Sequence, residues 1–501
     1  MRVLLDTNII IDREDSKEIS ANLQRLTRLL NEVKILVLVH PRSIPELERN
    51  KDPAHKQIIL SKILAYTPLE FPPDPSIDPL FLSRLKPSTR INDYVDNIIL
   101  YALYRNAVNF LITEDHGIHS KAKLLNIDNR VFSIVDAISF FEQYSQKHNV
   151  ISPPALKPAV VHSLDLNDPF FDSLKDNYPE FENNWFPKIC QEGRKCFVNY
   201  QNGQIGALLI YNIEDNDGIS DSLPPLPISR RLKLCTFKVS HNGQKIGELF
   251  VKLAIQIALK NDISEIYLTL FSKDNDRLIE LITEFGFFSY GKKINGESIY
   301  LKKLRGNQFD VAALCPLEFN KIFYPSFYDG PDVKKFIIPI QPEFHVRLFT
   351  DYPKRQSGLF EHNGDFYSEG NSIKKAYITR TKSKNIHPGD ILLFYRSVKD
   401  QAITTLGVVD EFHTGISDNE TIIGLVAKRT VYSQEELEIK EKPVSVILFK
   451  FHFHFPNPID FKELIREKLI KAAPQSISKL ENENYQRIKE IGGFDERFAF
   501  D

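Results

Sequence analysis

The chain has 501 residues, 42% of them hydrophobic and 26% charged, a composition that excludes a collagen-like or largely disordered chain. At about 150 residues per domain, this length predicts roughly three domains. The 64 basic and 66 acidic side chains leave a net charge of −2, which excludes a whole-chain basic field for nucleic acid and leaves only a local patch open. The four cysteines (Cys190, Cys196, Cys235, Cys315) are too few and too scattered for a disulfide framework or a closed zinc site, and they fit a reducing cytoplasm. The longest apolar runs, such as Ile35 to Val39, fall far short of the ~20 residues of a membrane helix. Asp6 in MRVLLDTN stands where a secretory leader would be apolar. A cytoplasmic protein without membrane segments is expected.

In chain order, residues 1–148 alternate short apolar runs (Val3–Leu5, Ile35–Val39, Asn109–Ile112, Val131–Ile134) with helical patterns, which predicts a parallel sheet covered by helices. Pro68 to Pro79 carries five prolines but reads as a loop inside this segment, because the same alternation resumes after it. Ile151-Ser-Pro-Pro-Ala-Leu-Lys-Pro158 is a stronger boundary, between a helical pattern and a new strand. Residues 160–305 read as strand, helices, several strands, a long helix over Gln244–Lys260, then strand, helix, strand, strand. A softer boundary follows at Arg305-Gly306-Asn307. Residues 310–501 alternate β-branched and aromatic positions, as in Asp390-Ile-Leu-Leu-Phe-Tyr395, before closing helical patterns. The expected architecture is a multidomain chain, α/β followed by α+β, with three domains over 1–148, 160–305 and 310–501.

In a parallel α/β sheet, functional groups gather beyond the C-terminal ends of strands. Asp6 ends the first apolar run and Asp115 ends the run Leu111-Ile-Thr-Glu-Asp115. Asp96 opens the pattern Asp96-Asn-Ile-Ile-Leu-Tyr-Ala-Leu103, and Glu46 lies early in a helix after the second strand. Four converging carboxylates need a counter-charge, and hard cations with oxygen ligands, Mg2+ or Mn2+, supply one that activates water against a phosphodiester. A single aspartate of this kind is more cheaply a helix cap. LLDTN at 4–8, PELE at 45–48, DNIILYAL at 96–103 and LITEDHGI at 111–118 resemble the four motifs of PIN-domain ribonucleases, in order and over about 145 residues. The resemblance implies Asp6, Glu46, Asp96 and Asp115 as catalytic, metal-binding acids, with Asn8 and Thr113 supporting them. Asp93, one turn away, is the alternative to Asp96. His116 and His119 read as ordinary polar surface residues.

Leu234-Cys-Thr-Phe-Lys-Val239 reads as a strand that runs into Ser240-His-Asn-Gly243-Gln-Lys-Ile-Gly247 and then a helix, an arrangement whose free backbone N–H groups favour an anion. With the strand Ser264–Leu270, the helix from Asn275 and the late Gly286-Phe287, this order resembles the GNAT acetyltransferases. The resemblance implies acetyl-CoA as cofactor, held by Val239, Gly243, Gln244, Lys245, Ile246, Gly247 and Asn275. Two departures stand out. Lys245 occupies a glycine position of the family loop, and Ile282 occupies the position where many members carry an acid-acting tyrosine. Tyr267, Tyr290 and Glu248 are nearby polar groups without a specific role.

From Lys374 to Lys399 seven basic residues face one acid, Asp390, with Tyr377 and Tyr395 among them. Cations neutralise phosphates and aromatic faces stack bases, so Lys374, Lys375, Tyr377, Arg380 and Lys382 are candidate RNA contacts. A lysine-blunted sheet edge is the plain alternative. Ile386-His-Pro-Gly389-Asp390 turning into a strand looks like the PUA-like superfamily, most like its ASCH or EVE branches, which implies a small β-barrel that binds RNA. Phe451-His-Phe-His454 puts two histidines on one strand face, too few for a metal site. The leading expectation is a Mg2+- or Mn2+-dependent ribonuclease, toxin-like or RNA-processing, with RNA (tRNA included) and an antitoxin or other protein as partners. Two alternatives stand beside it. One is an N-acetyltransferase acting on a protein, amine or charged tRNA with an inactive first domain, and the other is a non-enzymatic RNA-binding adaptor.

Overall fold

A run of buried aliphatics makes the first strand, β1 (Arg2–Leu5), the centre of a five-stranded sheet. The other strands are β2 (Leu36–Val39), β3 (Thr67–Pro68), β4 (Phe110–Ile112) and β5 (Val131–Phe132), in the order β3-β2-β1-β4-β5. Every neighbouring pair is parallel, as the alternation of strand and helix predicts. The computed structural model describes residues 1–14, 20–33, 35–43, 66–85, 91–145, 155–201, 203–240, 246–271, 276–352, 366–367, 372–381, 385–398, 401–426, 429, 436 and 442–500.

The described residues pack as two compact units. The first holds the parallel sheet and also takes in residues of 416–442. The helix Asn419–Val426 packs there, where Asn109 Nδ2 donates to Glu420 and Asn129 Nδ2 to the Gly424 carbonyl, both at 2.7 Å.

The second unit is built on a nine-stranded sheet. Its strands are β6 (Ala155–Val160), β7 (Lys195–Gln201), β8 (Gln204–Ile219), β9 (Ser222–Leu223), β10 (Leu226–Val239), β11 (Glu265–Leu270), β12 (Phe288–Lys293), β13 (Ser298–Lys303) and β16 (Phe366–Tyr367). The order is β16-β6-β7-β8-β10-β11-β13-β12-β9, antiparallel throughout except for the single parallel step from β10 to β11. The apolar helix Ile246–Lys260 makes the crossover and buries Leu249, Phe250 and Leu253 against Ile266 and Leu268. The helix Arg277–Glu284 lies beside it.

The same unit contains a six-stranded sheet in the order β17 (Lys374–Thr379), β20 (Val444–Asp460), β19 (Ala402–Ile416), β18 (Ile391–Arg396), β15 (Lys335–Ile340), β21 (Ser478–Leu480). A short parallel pair, β14 (Phe327–Tyr328) with β22 (Ala499–Phe500), ties the end of the chain into this unit. The expected closed barrel is corrected here: among the described residues the order ends on two different edge strands, β17 and β21, so this is a mixed open sheet. Gly389, at φ +92°, makes the tight turn into β18, where Asp390 accepts the backbone N–H groups of Lys334 and His387. The two sheets share buried polar ties. Lys252 Nζ lies 2.9 Å from Asp351, which His454 Nε2 also contacts at 3.2 Å. His452 Nδ1 meets the Pro325 carbonyl instead, so the two histidines hold separate partners.

Candidate functional site

The parallel step is short. β10 and β11 pair only at Leu232–Ile266 and Lys233–Tyr267. Beyond that point β10 continues on β8 as far as Val239, and β11 continues on β13 as far as Leu270. The sheet therefore parts between Leu234–Val239 and Leu268–Leu270, and among the described residues neither facing edge has a strand partner on that side. Backbone groups at such an edge call for a ligand or water. A cavity of about 1140 Å³ occupies the parting.

The floor of the cavity is a polar cluster drawn from three strands. Tyr267 donates its phenol proton to Glu214 Oε2 at 2.5 Å, and Lys233 Nζ lies 3.3 Å from Glu214 Oε1. The same ammonium lies 5.5 Å from the centre of the Tyr267 ring. Burial, then the bond to Glu214, pushes the Tyr267 phenol far above its usual range, so it stays protonated. Cys235 follows two residues along β10. Arg194 Nη1 contacts its Sγ at 3.2 Å, and burial raises the thiol. At the β12–β13 turn a second acid, Glu297, bonds Lys293 Nζ at 2.9 Å, Asn295 at 3.1 Å and Thr269 at 3.3 Å. Burial opposes its ionisation, but these bonds outweigh burial and hold the carboxyl below its usual range. Tyr178, half-buried beside Glu297, is pushed up to about 12, first by that burial and then by the Glu297 carboxylate. The wall opposite carries a π-helical turn, Phe181–Trp185, whose two aromatic ends stack with centroids 5.3 Å apart. Trp185 is the only tryptophan in the chain.

Of the expected cofactor residues, Gly243, Gln244, Lys245 and Asn275 lie outside the described residues. Val239 ends β10, and Ile246 opens the crossover helix and is buried in the core. Gly247 has a packing role, since a Cβ there would come 2.6 Å from Leu281 Cδ2. Ile282 is 0% exposed and packs in the core, so this position supplies no proton donor to the cleft. Glu248 accepts a backbone N–H from Lys374, and Tyr290 donates to the Pro225 carbonyl. Of the polar groups singled out in the sequence, Tyr267 stands in the cleft. Glu214, Lys233, Glu297 and Trp185 carried no local motif. The lone tryptophan was the one signal available.

At the first sheet the topology gathers part of the acidic set. Asp6 Oδ1 accepts from Thr7 N at 2.7 Å and Oδ2 from Thr113 Oγ1 at 2.6 Å. Thr113 Oγ1 also receives Asp115 N at 2.9 Å and Asn8 Nδ2 at 3.4 Å. Asp115 caps the helix His116–Leu124 through Ile118 N. His119 Nε2 meets the Thr113 carbonyl at 3.0 Å. Asp96 and Asp93 each lie 3.7 Å from Lys121 Nζ. Glu46 lies outside the described residues. Among the described residues no three His, Cys, Asp or Glu side chains are grouped to hold a metal, and no hydrolytic step is derived there.

The basic stretch begins on β17. Lys374 forms an ion pair with Glu284, and Lys375 is 2% exposed with its ammonium over the Phe349 ring. Tyr377 donates to the Pro339 carbonyl at 2.7 Å. These three side chains have partners within the unit. Arg380 is exposed, and Lys382 lies outside the described residues. Among the described residues no helix is long and apolar enough to cross a membrane.

No protein-family model and no curated protein matches the chain. Among solved structures, the chain is similar to ASCH from Zymomonas mobilis at 16% identity, over 32% of this chain and 95% of that one, with a TM-score of 0.24. It is similar to the N-acetyltransferase PseH from Campylobacter jejuni at 16% identity, over 30% and 99% of the two chains, with a TM-score of 0.21. It is also similar to the PaiA N-acetyltransferase from Thermoplasma acidophilum, a complex with coenzyme A, at 15% identity over 30% and 98%, with a TM-score of 0.21. These likenesses are partial and low-scoring.

Proposed function

We propose that the parting between β10 and β11 is the active site of an N-acyltransferase that uses an acyl-coenzyme A. The observation that carries this reading is the two-pair ladder at Leu232 and Lys233, which leaves two strand edges facing a cavity with a Glu214–Tyr267–Lys233 floor. The residues fit such a cofactor, because an extended amide chain can hydrogen-bond to the β10 edge as an added strand would. Bound acetyl-CoA would supply an activated acyl thioester.

The chain's own groups handle the proton. With an acyl thioester bound, an attacking amine would have to lose a proton as the C–N bond formed, and the coenzyme would leave as its thiolate as the C–S bond broke. The Tyr267 oxygen takes that proton while its own passes to Glu214, so the phenol ends neutral and the carboxylate ends protonated. Lys233, 3.3 Å from Glu214 Oε1, orients that carboxyl toward the phenol.

The test is acetyl transfer to amines by the full chain, wild type against Glu214→Gln and Tyr267→Phe. Both variants are expected to lose about 100-fold or more in kcat with little change in KM for acetyl-CoA. Wild-type turnover in both would contradict the assignment.

A further inference from the structure

Three large aliphatic side chains stand in solvent at the outer rim of this cleft: Leu223 at 82% exposure, Ile228 at 73% and Ile294 at 87%. They belong to separate segments that the sheet ties together. β9 pairs with β12 through Leu223–Lys292 and Ser222–Lys293, and Ile294 N donates to the Asp221 carbonyl at 2.8 Å. Ile228 lies over Gly218, a residue of the cavity wall, so closely that a Cβ on Gly218 would come 3.2 Å from Ile228 Cγ1. Lys293 and Asn295 line the cavity and flank Ile294 in sequence. The apolar rim and the polar cleft are thus one continuous surface. Asp215, Asp217 and Asp221 are exposed on these segments, and so is Lys292, which pairs with Leu223. Of these, Asp215 is paired with Arg230.

A small amine needs none of this. Exposed aliphatics interleaved with carboxylates outside a cleft suit an acceptor that is larger than the cleft, apolar in part and cationic in part. We infer that the acceptor is a polypeptide, a lysine side chain flanked by apolar and basic residues, with the rim gripping the flanks while the amine reaches Tyr267. This rests on the acyl-transfer reading for the fate of the amine, and the rim contact itself does not need it.

The experiment uses the full chain and an N-terminally blocked ten-residue peptide with one central lysine flanked by leucines and arginines. Its control has every leucine replaced by serine. Trp185 fluorescence reports binding to each, and acetyl transfer is followed in parallel. The leucine peptide is expected to bind about tenfold tighter than the serine peptide. In the triple variant Leu223→Ser, Ile228→Ser, Ile294→Ser that ratio is expected to fall to about one. A wild-type ratio near one overturns the inference, as does a ratio that survives in the triple variant. If the triple variant fails to fold, the two peptides on the wild type decide alone. Sedimentation that shows a dimer dissolved by the triple variant, without peptide preference, assigns the rim to a second copy and also overturns the inference. Peptide discrimination without transfer from acetyl-CoA to any amine overturns the acyl-transfer reading and leaves the docking surface standing. Transfer to butylamine without peptide discrimination does the reverse.

Discussion

Lys302 shows how far single residues in this chain depart from their usual habits. It is 0% exposed on β13, and its ammonium reaches the Ile322 carbonyl at 3.2 Å. Burial, with Lys450 nearby, pushes its pKa well below the lysine range. The unfolded chain therefore binds a proton that the folded chain resists, and stability rises with pH across the window from the depressed value up to about 10.4. Lys302→Met is expected to stabilise the fold by about 1 kcal/mol at pH 7 in urea unfolding. The advantage should shrink as pH approaches 10, and growth with pH would contradict the sign. The basic stretch misleads at the same scale. The Lys374 ammonium has its acidic partner, Glu284, at a sequence separation of 90 residues, beyond the reach of any local charge count.

Elements were more legible than sites, because periodicity is local while register is not. The crossover helix, β11, β13 and the parallel first sheet follow directly from apolar spacing. The parting of β10 from β11 does not, since it depends on where a 14-residue strand stops pairing with one neighbour and continues with another. Glu214 and Tyr267 meet across 53 residues for the same reason. The Gly-Phe pair read in the sequence acquires a physical reason at this scale. Gly286 sits at φ +83°, and a Cβ there would come 2.1 Å from the Ile322 carbonyl oxygen, a backbone atom with little freedom to move. Gly286→Ala is expected to cost about 2 kcal/mol or more, read as a lower denaturant midpoint at unchanged slope. Gly193 has φ +61°, and a Cβ there would meet nothing within 4 Å, so Gly193→Ala should cost only about 1 kcal/mol. Equal losses would show that backbone strain alone sets the cost.

Across the whole molecule the net charge of −2 comes from charges that largely answer one another at close range. Lys121 faces Asp93 and Asp96 in one unit, while Lys233, Lys252 and Lys374 face Glu214, Asp351 and Glu284 in the other. Among the described residues, the parting of the large sheet is open to a ligand, and an acyl-coenzyme A is the ligand we propose for it. The chain's single tryptophan, Trp185, lines it, so intrinsic fluorescence titrated with acetyl-CoA tests that assignment directly. A saturable change in Trp185 emission is expected at micromolar to millimolar acetyl-CoA. An emission spectrum that stays flat across that range would contradict the assignment.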